Sequence, residues 1–186
     1  MIKLLYALLV ITVFFSSCNS SKKTAKYEEP IRTKKPKTYT PVTTTTKSKT
    51  FIKPLKINRK DFVAYAKSFV GTAYKYGSST PANGLDCSGF IMVVFAHFDV
   101  KTPRISKDFT NEGTTLKLSE AMAGDLILFT GSDNSSGNVG HIGIVTDTDN
   151  ILTFISSTSG KNIGVIETKL SGYWKTRFVK VIRLLE

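Results

Sequence analysis

Asp86-Cys87-Ser88-Gly89-Phe90, followed after an apolar stretch by Gly140-His141-Ile142-Gly143-Ile144-Val145, decides how this chain is read. The first run puts a cysteine where a helix begins, and the second puts a histidine where an alternating strand begins. A helix N-terminus carries partial positive charge and N–H groups without intrahelical acceptors, so Cys87 is expected to favour a thiolate. An imidazole within reach can take the thiol proton and return it to a leaving group. The pair points to thiol-based acyl chemistry.

Working outward, Asn58 is a good N-cap, and Phe62, Tyr65, Ala66, Phe69 and Val70 recur at helical spacing, so residues 59–70 read as an amphipathic helix ended by Gly71. A polar loop from Gly71 to Gly84 leads into Asp86. Residues 87–98 read as a second helix with Phe90, Val93, Val94 and Phe95 inward, and Ser106 is expected to cap a short third one. After Gly124 the pattern changes to short β-branched and aromatic runs at 126–129, 142–145, 152–155, 163–166 and 178–184. Short connections make them mostly antiparallel. Helices followed by strands give an α+β domain, with the N-terminal helices packed on a sheet of five to six strands.

The polar neighbours Asp86 and Ser88 argue that Cys87 is exposed rather than a buried structural thiol, and Gly89 is expected to leave space for a substrate. His97 competes poorly with His141 as the base. Ten residues along the helix from Cys87, it lies about 280° around the axis, and it suits a surface position near the helix C-terminus.

The chain carries a net charge of +12 over 186 residues, but residues 19–56 hold 11 Lys/Arg against 2 Asp/Glu, whereas residues 57–186 hold 14 against 12. The basic character therefore belongs to a Thr-, Lys- and Pro-rich segment too poor in large apolar residues to fold, which reads as a tether over 18–56. A nucleic-acid binder is disfavoured on that ground. Lys3, the apolar run Leu4 to Phe15 and Ser16-Ser17 before Cys18 read as an export signal over 1–17, too short for a membrane span. Phe15-Ser16-Ser17-Cys18 resembles the lipobox of bacterial lipoproteins, which makes Cys18 the expected lipidation site. With Cys18 and Cys87 each in its own motif, no disulfide between them is expected. Two histidines, no HExxH and no paired cysteines give no expectation of a metal or cofactor.

Residues 57–186 resemble the NlpC-type family of bacterial cell-wall cysteine peptidases, a circularly rearranged papain-like fold. The resemblance rests on Gly71-Thr72-Ala73-Tyr74, Gly84-Leu85-Asp86-Cys87-Ser88-Gly89-Phe90, Pro103-Arg104, Ala123-Gly124-Asp125-Leu126, His141-Ile142-Gly143-Ile144-Val145, Phe154-Ile155-Ser156-Ser157 and Tyr173-Trp174-Lys175, in order and in spacing. It implies Cys87 as nucleophile, His141 as base, and Tyr74, Asp86 and Ser88 as substrate or oxyanion residues. It also implies cleavage of peptide bonds in peptidoglycan stems or cross-links; separately, a monomer is expected. Lipoprotein murein endopeptidases of the family likewise combine an anchor, a tether and one domain, which implies lipid anchoring at the periplasmic face of an outer membrane. One position departs: where the family commonly has a third polar residue, a histidine, this chain has Ser156. Three readings stay open: Ser156 bonds the imidazole itself or through water, Asn162 replaces it, or activity is reduced. A non-catalytic wall-binding lipoprotein and an amidase or acyltransferase on the same scaffold are the rival classes.

Overall fold

The computed structural model describes residues 53–135, 137–160 and 164–186. The export signal, Cys18, most of the tether and Asn162 lie outside the described residues. In chain order come α1 (Arg59–Lys67), a small hairpin of β1 (Ser79–Thr80) and β2 (Gly84–Leu85), α2 (Cys87–His97) and a 3₁₀ turn at Ser106–Asn111. Then follow β3 (Thr114–Leu116), β4 (Leu126–Thr130), β5 (Val139–Asp147), β6 (Thr153–Thr158), β7 (Gly164–Lys169), α3 (Gly172–Arg177) and β8 (Phe178–Arg183). Six of the strands form one antiparallel sheet in the order β3-β8-β4-β5-β6-β7. The α+β expectation holds, with the edge strand β3 and the β1–β2 hairpin added.

Boundaries moved in a few places, each for a local reason. Asn58 caps α1 by accepting from the N–H groups of Lys60 and Asp61, but the helix stops at Lys67 and Val70 is exposed. Leu55 pairs with the chain's end, through Leu55 N–H to Leu184 O at 2.7 Å, so the fold begins before Ile57. Ser106 caps nothing: it is the first residue of the 3₁₀ turn, and its hydroxyl is used elsewhere. His141 does not open its strand, which starts at Val139.

Alternation along the strands divides the interior in two. Leu126 and Leu128 of β4 and Ile142 and Ile144 of β5 join α1 and α2 in the main core, where Phe62, Phe90, Val94 and Phe95 are fully buried. Ile127, Phe129, Val145 and Phe154 form a second cluster under Trp174 of α3. Helices therefore cover both faces of the sheet, the long ones on one and α3 on the other.

Asp125, fully buried at the start of β4, binds these parts together. It accepts from Arg59 Nη1 at 3.0 Å, from Arg183 Nε and Nη2 at 2.9 and 2.7 Å, and from Met122 N–H at 2.9 Å. One carboxylate thus joins α1, β4 and β8. Removing it strands two arginines in a site built for its charge. Asp125→Ala is expected to cost about 3–5 kcal/mol in urea unfolding, the scale for breaking a buried ion pair; a loss below about 1 kcal/mol would deny it that role.

Candidate active site

Asp86 explains why the chain turns into a helix at Cys87. It is the N-cap of α2, its Oδ1 accepting from Gly89 N–H at 2.6 Å, and Arg104 neutralises it with contacts of 3.1 and 2.6 Å. Arg104 Nη1 also donates to Ser88 Oγ at 3.0 Å. The side chains of Asp86 and Ser88 are buried in this network and do not line the cleft, which corrects their expected place against substrate. Gly89 is likewise not there to admit a ligand. A Cβ on it would sit 2.1 Å from Ser78 O, so glycine lets the loop backbone press against the helix start.

Cys87 carries a free thiol and lines a cleft of about 540 Å³ together with Tyr74, His141, Trp174 and Arg177. Its Sγ lies 3.3 Å from Ser106 Oγ and 4.0 Å from Gly140 O, beside the β5 backbone that carries His141. His141 Nε2 and Ser156 Oγ are 3.0 Å apart. With Nε2 engaged there, Nδ1 is the nitrogen left to serve the thiol. Of the three readings of the departure, direct contact by Ser156 is the one the geometry matches. Gly143 lets β5 and β6 lie close together beside that contact: a Cβ on it would come within 3.2 Å of Ser156 Cβ and 2.8 Å of Ile155 O.

Trp174 stacks on the imidazole, centroids 4.8 Å apart and planes 29° apart, with Phe129 behind at 5.9 Å. Trp174 reaches the ring through the turn of α3, a placement that no local pattern in the sequence marks. Ser106 was missed because its partner is 19 residues away across the fold. His97 lies in the last turn of α2, exposed and stacked on Tyr65 at 3.8 Å, as expected of a surface residue. Tyr74 is half-buried, with its hydroxyl bonded to Ser159; burial, then the nearby Cys87 and Asp86 charges, raises its pKa.

The electrostatics of the pair correct one expectation. Loss of hydration holds His141 well below its usual range, at about 4. Burial pushes the Cys87 thiol up, the Asp86 charge adds to the rise, and bonds from Ser106 and from the Ser88 and Ile142 N–H groups only partly offset it. Burial works against the charged form of both groups, so the resting groups are a neutral thiol and a neutral imidazole rather than an ion pair. Among the described residues, no three His, Cys, Asp or Glu side chains come together as a metal site would require.

Residues 71–183 match the NlpC/P60 family. The chain belongs to that family. It is 36% identical over 120 residues to the probable endopeptidase NlpC of Escherichia coli, covering 63% of this chain and 73% of that protein. To the murein DD-endopeptidase MepS/murein LD-carboxypeptidase of Escherichia coli it is 32% identical over 117 residues, 62% of this chain and 57% of the relative. The solved structure of the peptidoglycan hydrolase RipB from Mycobacterium tuberculosis superposes with a TM-score of 0.55 at 27% identity, covering 69% of this chain and 67% of that one. The architecture is the α+β papain-like one of NlpC/P60 domains.

A base with a lowered pKa stays neutral, and so competent, further into acid. If His141 takes the thiol proton, kcat/KM should hold from pH 7 down to about 5 and be halved near pH 4, the titration point of the ring. An acid limb centred near the unperturbed value of about 6.5 would contradict this assignment.

Proposed function

We propose that this chain is a cysteine endopeptidase that cleaves peptide bonds in peptidoglycan stems or cross-links. The observation that carries the reading is that Cys87 and His141 line one cleft, with the second ring nitrogen of His141 held by Ser156, in a chain of the NlpC/P60 family. The cleft wall is rich in uncharged hydroxyls, among them Thr130, Ser132, Thr158 and Thr168, a lining suited to peptide amides.

In this mechanism Cys87 Sγ attacks the carbonyl carbon while its proton passes to His141 Nδ1. The N–H of Cys87, first in α2 and so without an intrahelical acceptor, faces the developing oxyanion. The imidazolium then gives its proton to the leaving amine as the C–N bond breaks, leaving a thioester. Water, deprotonated by the same nitrogen, hydrolyses the thioester, and the proton returns to sulfur. Trp174 keeps bulk water from one face of the ring, which preserves the low dielectric in which the charge separation is strongest. Export and lipid attachment at Cys18, facing the wall from the outer membrane, complete the reading; residues 1–18 support this part by their sequence alone.

Full-length protein incubated with defined muropeptide monomers and cross-linked dimers should yield new peptide termini by mass spectrometry, and Cys87→Ala should yield none. Equal conversion by that variant would end the thiol mechanism, and no conversion by wild type would end the substrate assignment. In cells fed an alkyne fatty acid, the wild-type chain should take up label and Cys18→Ala should not; label on both would refute lipidation at Cys18.

A further inference from the structure

One buried hydroxyl stands against the nucleophile, and the mechanism above gives it no task. Ser106 is only 6% exposed, and among the described residues its hydroxyl has the Cys87 sulfur, 3.3 Å away, as its hydrogen-bond partner. We propose that Ser106 is a further catalytic residue, whose hydroxyl donates to Cys87 Sγ once the thiol proton has left and so steadies the thiolate that attacks. The inference rests on Cys87 being the nucleophile.

The fold brings Ser106 to this point by a clamp. Arg104 grips Asp86 with two contacts and Ser88 with a third, the residues on either side of Cys87. Two residues further on, the chain reaches Cys87 itself with Ser106, and fully buried Phe109 pins the 3₁₀ turn that follows. Each of the three residues that open α2 thus has its partner on the 104–106 segment. Such a clamp fixes a short hydroxyl-to-sulfur approach that packing alone would not require.

A serine hydroxyl is a rotor with one donor and two acceptor sites. Against a neutral thiol it can donate or accept. When the S–H bond breaks and Nδ1–H forms on His141, the sulfur becomes an acceptor only, and Ser106 donates to it while keeping its own proton. Hydrogen bonds to an ionised acceptor are stronger than those to a neutral one, more so where water is excluded. Ser106 therefore stabilises the attacking state more than the resting state, which is what raises a rate. It partly offsets the desolvation that works against the thiolate in this site.

The test compares Ser106→Thr with Ser106→Val, side chains of one shape that differ by the hydroxyl, with Ser106→Ala alongside. Iodoacetamide alkylation of Cys87 is followed against pH in the full chain, and melting temperatures confirm folding. The Val and Ala variants should shift the alkylation midpoint upward by about one pH unit and lose about tenfold or more in kcat on muropeptides, the scale of a hydrogen bond to a charged group. The Thr variant should stay near wild type in both. An unmoved midpoint in folded Val and Ala variants would overturn the proposal, as would a Thr variant displaced as far as Val, which would mean packing rather than the hydroxyl. Alkylation needs no substrate, so an error in the proposed substrate would leave this readout intact.

Discussion

Two consecutive hydroxyls on β6 hold the two halves of the site. Strand alternation sends Ser156 and Ser157 to opposite faces of the sheet. Ser156 meets His141 Nε2 at 3.0 Å on one face, and on the other Ser157 donates to Leu85 O at 2.6 Å, two residues before Cys87. Both serines are fully buried. A buried polar group that loses its partner costs about 1–3 kcal/mol, so the register that satisfies these two also places sulfur and imidazole in one cleft. A slip of β6 by one residue would exchange their faces and undo both contacts at once.

Around that dipeptide the fold spends its charges on position and leaves the reacting groups neutral. Asp86 with Arg104 fixes the helix start, and Asp125 with Arg59 and Arg183 fixes the far end of the sheet. The reacting pair is desolvated, with the ring lowered and the thiol raised. Charge therefore appears at sulfur and nitrogen only as the reaction proceeds, and the N–H groups of Ser88 and Ile142 and the Ser106 hydroxyl are already aimed at the sulfur. Preorganised dipoles of this kind act where charge develops and need no rearrangement when it does.

Much of this was legible in the chain. Helical spacing after Asn58, the polar-to-apolar change at Cys87 and the β-branched runs after Gly124 are local signals, and local structure followed them. Ser156 could be singled out only through the family resemblance, as the residue standing where the family commonly has its third polar group. What stayed hidden depends on distance through space: Ser106 on Cys87, Trp174 over His141, Ser157 on Leu85. Gly89 and Asp86 were misread for the same reason. Their partners, Ser78 O and Arg104, come from loops whose paths no periodicity describes. The ionisation of the pair was hidden too, because a helix N-terminus can be seen in a sequence and the loss of water around it cannot.

The orientation of the imidazole is the point on which the account turns, and nitrogen-15 NMR of His141 in the full chain reads it directly. The expected result is a neutral ring at pH 7 with the proton on Nε2, facing Ser156, and Nδ1 bare toward Cys87, titrating near pH 4. A proton resident on Nδ1 at pH 7, or an imidazolium paired with a thiolate, would contradict it.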